Sequence, residues 1–117
     1  MNKKLILLAL PALALSAFLF QGNATSAEQS ELQILKFEAD WCGPCQQMKP
    51  VFDKVSKDFD SDAKFVTINV DKQPGLADQY NVRGLPTVIA VKDGKVVDRT
   101  MGYMNSFKLK GFIQRNL

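Results

Sequence analysis

Hydrophobic and polar positions alternate with two different periods along residues 32–117. Four short apolar runs are typical of β-strands and cover residues 32–37, 65–70, 87–91 and 95–101. Apolar residues at helical spacing predict three helices over residues 44–59, 74–80 and 105–117. The order strand, helix, strand, helix, strand, strand, helix therefore indicates an α/β fold.

The connections between these elements predict how the strands pair. The first strand, helix and strand form a crossover unit, which makes the two strands parallel. Asp93-Gly94 is a two-residue hairpin signal that pairs the last two strands antiparallel. We therefore expect a mixed four-stranded sheet with helices on both faces.

Two of the predicted helices carry residues with local consequences. Pro50 lies inside the first helical pattern and is expected to kink it. Asn105 or Ser106 can cap the last helix. The predicted inner face of that helix consists of Leu109, Phe112, Ile113 and Leu117.

The first residues have the organisation of a secretory signal. Lys3 and Lys4 precede an apolar run from Leu5 to Phe20, and a short stretch of small and polar residues follows. We expect cleavage after Ala27, which would leave a domain of residues 28–117. A retained membrane anchor formed by the same apolar run is the alternative, although the run is shorter than an ordinary transmembrane helix.

Composition narrows the chemistry that the chain can perform. The 117 residues include no histidine and two cysteines, which excludes a Ser-His-Asp triad, a histidine zinc site and a multi-bridge disulfide scaffold. The formal net charge is +3, and loss of residues 1–27 would remove two lysines and leave a nearly neutral domain. Such a domain has no electrostatic basis for binding nucleic acid or a membrane surface.

The two cysteines occur in the sequence Cys42-Gly43-Pro44-Cys45, where the first strand meets the first helix. Cysteines three residues apart across a helix start lie on one face, within the distance that a disulfide spans. The unpaired N–H groups and the helix dipole favour the thiolate of Cys42, whereas Cys45 lies one turn further in. This arrangement predicts that Cys42 attacks a disulfide and Cys45 resolves the mixed disulfide. A purely structural disulfide and a metal shared between two copies are the alternatives.

Several motifs together resemble the thioredoxin family. Trp41–Cys45, with Pro50 five residues later, resembles the active-site stretch of that family, and Gly84–Thr87 resembles its cis-proline loop. Asn69–Asp71 also stands at the family's spacing, and the similarity covers residues 34–117. The resemblance implies a disulfide oxidoreductase that needs neither an organic cofactor nor a metal.

The resemblance also implies roles for the active-site stretch. Cys42 would be the nucleophile and Cys45 the resolving thiol. Trp41, Gly43 and Pro44 would complete the active-site loop around them.

The second motif would form a loop that binds the substrate. Pro86 would be cis and would face the cysteines, with Gly84 in the same loop. The backbone of Leu85 would pair with an extended substrate segment. Leu85 and Trp41 would form an apolar rim around the reactive Cys42.

The chain departs from the family pattern in its N-terminal part and in its first strand. Thioredoxins usually have a strand and a helix before that strand, so we expect a minimal version of the fold that lacks them. Lys36 stands where the family has a buried acid, and Glu38 stands where it usually has Trp. We hypothesise that Lys36 and Glu38, which share one face of the strand, form an acid–base pair beneath Cys45 that tunes the acidity of the thiols. The alternative is that both side chains reach solvent.

These features predict an exported oxidoreductase, periplasmic or otherwise extracytoplasmic, that reduces the disulfides of protein substrates. Its electrons would come from a membrane thiol–disulfide donor, because exported compartments lack a soluble nicotinamide supply. A monomer is expected. Two alternatives stay open: a dithiol oxidase that donates its disulfide, which Lys36 favours, and a non-catalytic binding module built on a thioredoxin fold.

Overall fold

A computed structural model describes residues 31–117 of the chain. The predicted signal segment, its cleavage site and the alternative anchor lie outside the described residues. Within residues 31–117, no helix has both the length and the apolar character needed to cross a membrane.

Four strands and three helices occur among the described residues, in the order that the sequence predicts. They are β1 (Leu32–Glu38), α1 (Gly43–Asp58), β2 (Ala63–Asn69), α2 (Pro74–Gln79), β3 (Thr87–Lys92), β4 (Lys95–Met101) and α3 (Ser106–Gln114). Strand β2 begins before its apolar run, because it pairs with β1 from Ala63 onwards.

The strands form one mixed sheet in the order β2-β1-β3-β4. Strand β1 pairs parallel with β2 and antiparallel with β3, and β3 pairs antiparallel with β4. The turn between β3 and β4 has positive φ angles at both Asp93 (52°) and Gly94 (77°), as a two-residue hairpin requires. The predicted mixed four-stranded sheet is therefore confirmed.

Each face of the sheet is covered by helix. On one face, Ile34 of β1 lies in a core with residues of α1 and α3, including Met48, Phe52 and Phe112. The opposite core contains Leu35, Phe37 and Ile89, and residues of α2 pack against it. The rings of Phe37 and Tyr80 approach to 5.7 Å between centroids on that side. The prediction of helices on both faces is confirmed.

Helices α1 and α3 form where the sequence predicts them, and one detail of α3 differs from the expectation. Helix α1 continues through Pro50 without ending there. Asn105 caps α3, with its side-chain oxygen accepting a hydrogen bond from the Lys108 amide at 2.9 Å. The prediction that Leu117 belongs to the inner face of α3 is wrong. The helix ends at Gln114, so Leu117 lies beyond it and is exposed.

Candidate active site

The two cysteines form a disulfide at the start of α1, with 5.2 Å between their Cα atoms. Cys42 is 6% exposed, whereas Cys45 is completely buried. The difference arises because Cys42 precedes the first helical turn and Cys45 lies within it. An incoming thiol or disulfide can therefore reach only the sulfur of Cys42.

The N-terminus of α1 supplies a hydrogen bond to the more exposed sulfur. Cys42 is the N-cap residue, and its Sγ accepts from the backbone N–H of Cys45 at 3.2 Å. Pro44 occupies the first turn, where a missing N–H costs no helical hydrogen bond. In the dithiol state this helix end favours a thiolate at Cys42, because N–H groups and the helix dipole point towards it.

A groove of about 530 Å³ lies beside the disulfide. The active-site loop lines one side of it, and Gly84 and Leu85 from the loop before β3 are also part of its lining. The active-site residues in the lining are Trp41, Cys42, Gly43 and Pro44. The structure thus brings together the two motifs that the sequence separates by about forty residues.

The loop before β3 is held in place by contacts at each of its residues. The Leu85–Pro86 peptide bond is cis, and the Pro86 carbonyl accepts from the Gly102 amide at 2.7 Å. Thr87 Oγ1 donates to the Gly84 carbonyl at 2.6 Å. Leu85 packs against the cluster that contains both cysteines.

Gly84 takes part in a close approach that the sequence does not reveal. A Cβ atom at this position would lie 2.6 Å from Sδ of Met101 on the neighbouring strand β4. The exposed Met101 side chain therefore lies directly against the loop, and a larger residue at position 84 would displace it.

Trp41 is exposed, so it is not a core aromatic. Its indole Nε1 donates to Asp71 Oδ2 at 2.8 Å, just beyond the end of β2. Asn69 Nδ2 donates to Asp40 Oδ1 at 3.3 Å and strengthens the same connection. Asp71 belongs to a motif at the family's spacing, but the sequence does not reveal its role, because only the fold brings it to Trp41.

Lys36 and Glu38 lie in the interior, and the alternative that both reach solvent is wrong. Lys36 Nζ lies 2.8 Å from Glu38 Oε1, and the two side chains are 2% and 7% exposed. The angles at this contact are not those of a hydrogen bond, and Glu38 Oε1 accepts none from residues 31–117. The Lys36 ammonium also lies 4.8 Å from the centroid of the Phe52 ring, a distance at which a cation and an aromatic face attract.

A second cation contacts Glu38 from the helix that carries the cysteines. Lys49 Nζ lies 3.7 Å from Glu38 Oε2, and its side chain is 43% exposed. Lys49 follows Cys45 by four residues, so the two share one face of α1. Lys49 was not among the predicted site residues, although its spacing from Cys45 was the available signal.

Within the described residues, no group of three or more histidine, cysteine, aspartate or glutamate side chains is arranged to bind a metal ion. The disulfide at the site is formed by the protein's own Cys42 and Cys45. A reversible disulfide at a helix N-terminus, beside a groove, defines a thiol–disulfide oxidoreductase.

Comparison with known proteins gives the same class. A family model described as thioredoxin matches residues 18–115. Thioredoxin of Staphylococcus saprophyticus is 35% identical over 89 residues, which is 76% of this chain and 86% of that protein. The chain belongs to the thioredoxin family.

Solved structures agree with this assignment. Fasciola hepatica thioredoxin superimposes with a TM-score of 0.68 at 36% identity, over 73% of this chain and 80% of the other. Schistosoma mansoni thioredoxin gives a TM-score of 0.70 at 34% identity, over 77% and 83% of the two chains. The protein is therefore a thioredoxin-like disulfide oxidoreductase with a redox-active Cys42–Cys45 pair that acts on protein disulfides.

Proposed function

We propose that this protein is an exported reductase of protein disulfides, with Cys42 as nucleophile and Cys45 as resolving thiol. The observation that carries the assignment of roles is the difference in exposure between the two sulfurs. Cys42 borders the groove, whereas Cys45 is fully buried. A substrate disulfide meets Cys42 first, and Cys45 reacts only inside the complex.

The reaction consists of two exchanges that balance in atoms and electrons. The Cys42 thiolate attacks one sulfur of the substrate disulfide, forms a mixed disulfide and releases the other sulfur as a thiolate. Cys45 then loses its proton, and its thiolate attacks the Cys42 sulfur. This second exchange forms the Cys42–Cys45 disulfide and releases the remaining substrate thiolate. Two electrons pass from the dithiol to the substrate, and the two released thiolates take up protons.

Substrate binding is assigned to the loop of Gly84, Leu85 and cis Pro86. Leu85 and Trp41 line the groove beside Cys42 and give it an apolar rim. We infer that the Leu85 backbone pairs with an extended segment of the substrate, because an extended chain gains main-chain hydrogen bonds in this way.

The contact between Lys36 and Glu38 supports the reducing direction. An isolated ammonium near the cysteines would stabilise the thiolate form and raise the reduction potential. Glu38 places a carboxylate 2.8 Å from that ammonium, so most of the field of Lys36 is offset locally. The reduction potential of the pair then stays low, and the dithiol readily donates electrons.

Glu38 is further proposed as the acceptor of the Cys45 proton. Ala39, the next residue in the chain, packs against both cysteines. Lys49 links the Glu38 carboxylate to α1 one turn beyond Cys45. Glu38 Oε1 lies against the Lys36 ammonium and accepts no hydrogen bond within the described part of the chain. The Lys36–Glu38 pair is therefore the group to which we assign the Cys45 proton.

The proposed location rests on the sequence of residues 1–27, with its basic start, apolar run and small-residue segment. In an extracytoplasmic compartment, such as a periplasm, the oxidised protein needs an external dithiol to return it to the reduced state. We propose a membrane thiol–disulfide protein as that donor. It would transfer two electrons to Cys42–Cys45 by the same exchange chemistry. Retention of residues 5–20 as an anchor would keep the domain close to such a donor.

A dithiol oxidase is the second candidate, and Lys49 favours it. Two ammonium groups contact one carboxylate, which leaves an excess of positive charge between β1 and the helix that carries the cysteines. That excess stabilises thiolates and makes the disulfide a stronger oxidant.

The reduction potential of the Cys42–Cys45 pair distinguishes the two directions. The purified protein would be equilibrated against glutathione and, in parallel, against a stronger dithiol, and its thiols then counted. A reduction potential of about −270 mV, the general figure for thioredoxins, supports the proposed function as a reductase. A reduction potential of about −120 mV, which is typical of a strong disulfide donor, would show that the protein is an oxidase and not a reductase. Function retained after replacement of both cysteines by serine would instead indicate a binding module.

A further inference from the structure

Two further grooves follow the groove beside Cys42 in a series in which each shares a lining residue with the one before it. The first, of about 310 Å³, shares Arg83 with the groove at the disulfide. The second, of about 440 Å³, shares Thr100 and Met101 with the first. It ends between β4 and α3, where Phe107 lines it. We refer to the surface from Arg83 through Met101 to Phe107 as the Phe107 track.

The Phe107 track exposes large apolar side chains. Phe107 is 85% exposed, and Met101 and Tyr103 are exposed as well. The end of β4 is connected to the redox site, because Met101 lies against Gly84 and the Gly102 amide bonds to the Pro86 carbonyl at 2.7 Å. Single exposed apolar residues are ordinary, but a connected set beside a reactive site is typical of a binding surface.

All side chains that line the three grooves and carry a formal charge at neutral pH are basic. They are Arg83, Arg99, Lys108 and Arg115. Arg115 is paired with Asp98, whereas Arg83, Arg99 and Lys108 form no ion pair with any residue of the described range. The guanidinium of Arg99 instead donates to the Tyr80 carbonyl at 2.8 Å. The track therefore combines apolar surface with unneutralised positive charge.

We propose that the Phe107 track binds the client polypeptide on one side of its target disulfide, and that it selects segments carrying apolar and acidic side chains. This inference rests on the proposed function, because the client sulfur must reach Cys42. A client chain held in the groove beside Cys42 is already next to Arg83, where the Phe107 track begins. Each further extended residue advances it by about 3.3 Å, so a few residues reach from one groove into the next.

The test compares two peptide substrates with a small disulfide, using the full chain in its reduced form. Each peptide carries one cysteine in a mixed disulfide with thionitrobenzoate, whose release is followed by absorbance. One peptide has Phe and Glu flanking the cysteine, and the other has Ser and Lys at those positions. The small disulfide is dithiobis(nitrobenzoate), which is too short to occupy the track. The readout is the second-order rate constant of each reaction.

Phe107→Ser and Lys108→Glu are each expected to lower the rate constant for the peptide with Phe and Glu, relative to that for the small disulfide. The expected loss is about three- to tenfold, which is in the range of a single important interface side chain. Lys108→Glu should also favour the basic peptide, and salt should weaken both charge effects. Val97→Ser and Lys95→Glu are the matched controls. Both side chains are exposed and line none of the three grooves, so neither should change either rate.

The other outcomes each overturn the inference. Equal rates for the two peptides in all variants would show that clients do not use the track. A rise in the peptide rate with Phe107→Ser would indicate that another segment of the same chain occupies it. A change of oligomeric state with Phe107→Ser, measured by sedimentation velocity, would make it an interface between copies. Failure of the unmodified protein to react even with the small disulfide would instead refute the proposed function.

Discussion

Lys36 Nζ lies 2.8 Å from Glu38 Oε1 in the interior of the domain, although the two residues are separated by only one position on β1. Alternate residues of a strand point to the same face, and here that face is covered by α1. Two opposite charges thus enter the core together, and neither side chain has an equivalent partner there. Lys49 contacts the same carboxylate from a more exposed position, but it does not replace Lys36.

Glu38→Gln is expected to slow the reduction of a protein disulfide near neutral pH, because the proposed acceptor for the Cys45 proton is removed. The measurement is the rate of the resolving step as a function of pH, with Glu31→Gln as a control at an exposed carboxylate. An unchanged rate together with an unchanged titration of Cys45 would rule out this role for Glu38.

The reduction potential should move in opposite directions in two variants. Lys36→Met removes a positive charge and should lower the potential, whereas Glu38→Gln removes a negative charge and should raise it. Every 1.4 kcal/mol of change in the dithiol–disulfide balance corresponds to about 30 mV. Equilibration of both variants against a dithiol buffer measures these shifts. Shifts of the same sign would show that folding damage rather than charge controls the potential.

The free energy of unfolding should reveal the burial of this ion pair. Each single variant, Lys36→Met or Glu38→Leu, leaves a buried charge without its main partner and is expected to lose about 3–5 kcal/mol. The double variant Lys36→Met/Glu38→Leu should recover most of that loss, since replacing a buried pair by apolar residues is often neutral or stabilising. Urea unfolding of the four proteins gives the coupling between the two positions. Additive losses in the double variant would contradict the pairing.

Cys45→Ser should trap the mixed disulfide, because the proposed nucleophile can still attack but nothing resolves the product. Cys42→Ser should react with no substrate disulfide, since the remaining sulfur is completely buried. Mass spectrometry of each variant after incubation with an oxidised substrate protein measures the adduct. An adduct on Cys45 in the Cys42→Ser variant would reverse the assigned roles.

Acid should weaken a connection between β4 and the end of α3. The hydrogen bond from Arg115 holds the pKa of Asp98 below its usual value of 3.8, and the Asn116 side chain also donates to this carboxylate. The folded state therefore binds the Asp98 proton less readily than the unfolded state. The resulting stabilisation is present above the ordinary pKa of the group and is lost as pH falls towards its depressed value in the fold.

Asp98→Asn should flatten the dependence of the free energy of unfolding on pH in this acid range. Denaturant unfolding at a series of pH values measures it, with Asp60→Asn as a control at an exposed aspartate that forms no ion pair in the described domain. Identical acid profiles for the Asp98 variant and the unmodified protein would show that the ion pair contributes nothing.

The sequence predicted those features that depend on local spacing. The hairpin at Asp93-Gly94 follows from residues that accept positive φ, and the difference between Cys42 and Cys45 follows from their places in the first helical turn. The sharing of a strand face by Lys36 and Glu38 also follows from local geometry. Their burial does not, because it depends on how α1 covers the sheet.

The features that the sequence could not provide join distant parts of the chain. Asp71 meets Trp41, and Met101 meets Gly84, only because of the order and register of the strands. Leu117 continues an apolar pattern along the chain, yet the helix ends before it and leaves it exposed. Side-chain periodicity indicates which residues favour burial, but the position where a helix or strand ends determines which of them pack against the core.

The complete burial of Cys45 also limits how the protein exchanges electrons with other molecules. Any client and any dithiol donor must attack the disulfide or dithiol through the one sulfur that reaches the groove. Because two partners cannot occupy that sulfur together, each has to leave before the other arrives. The catalytic cycle is thus an alternation of two binary complexes, in which a client meets only the reduced protein productively and a donor meets only the oxidised protein productively.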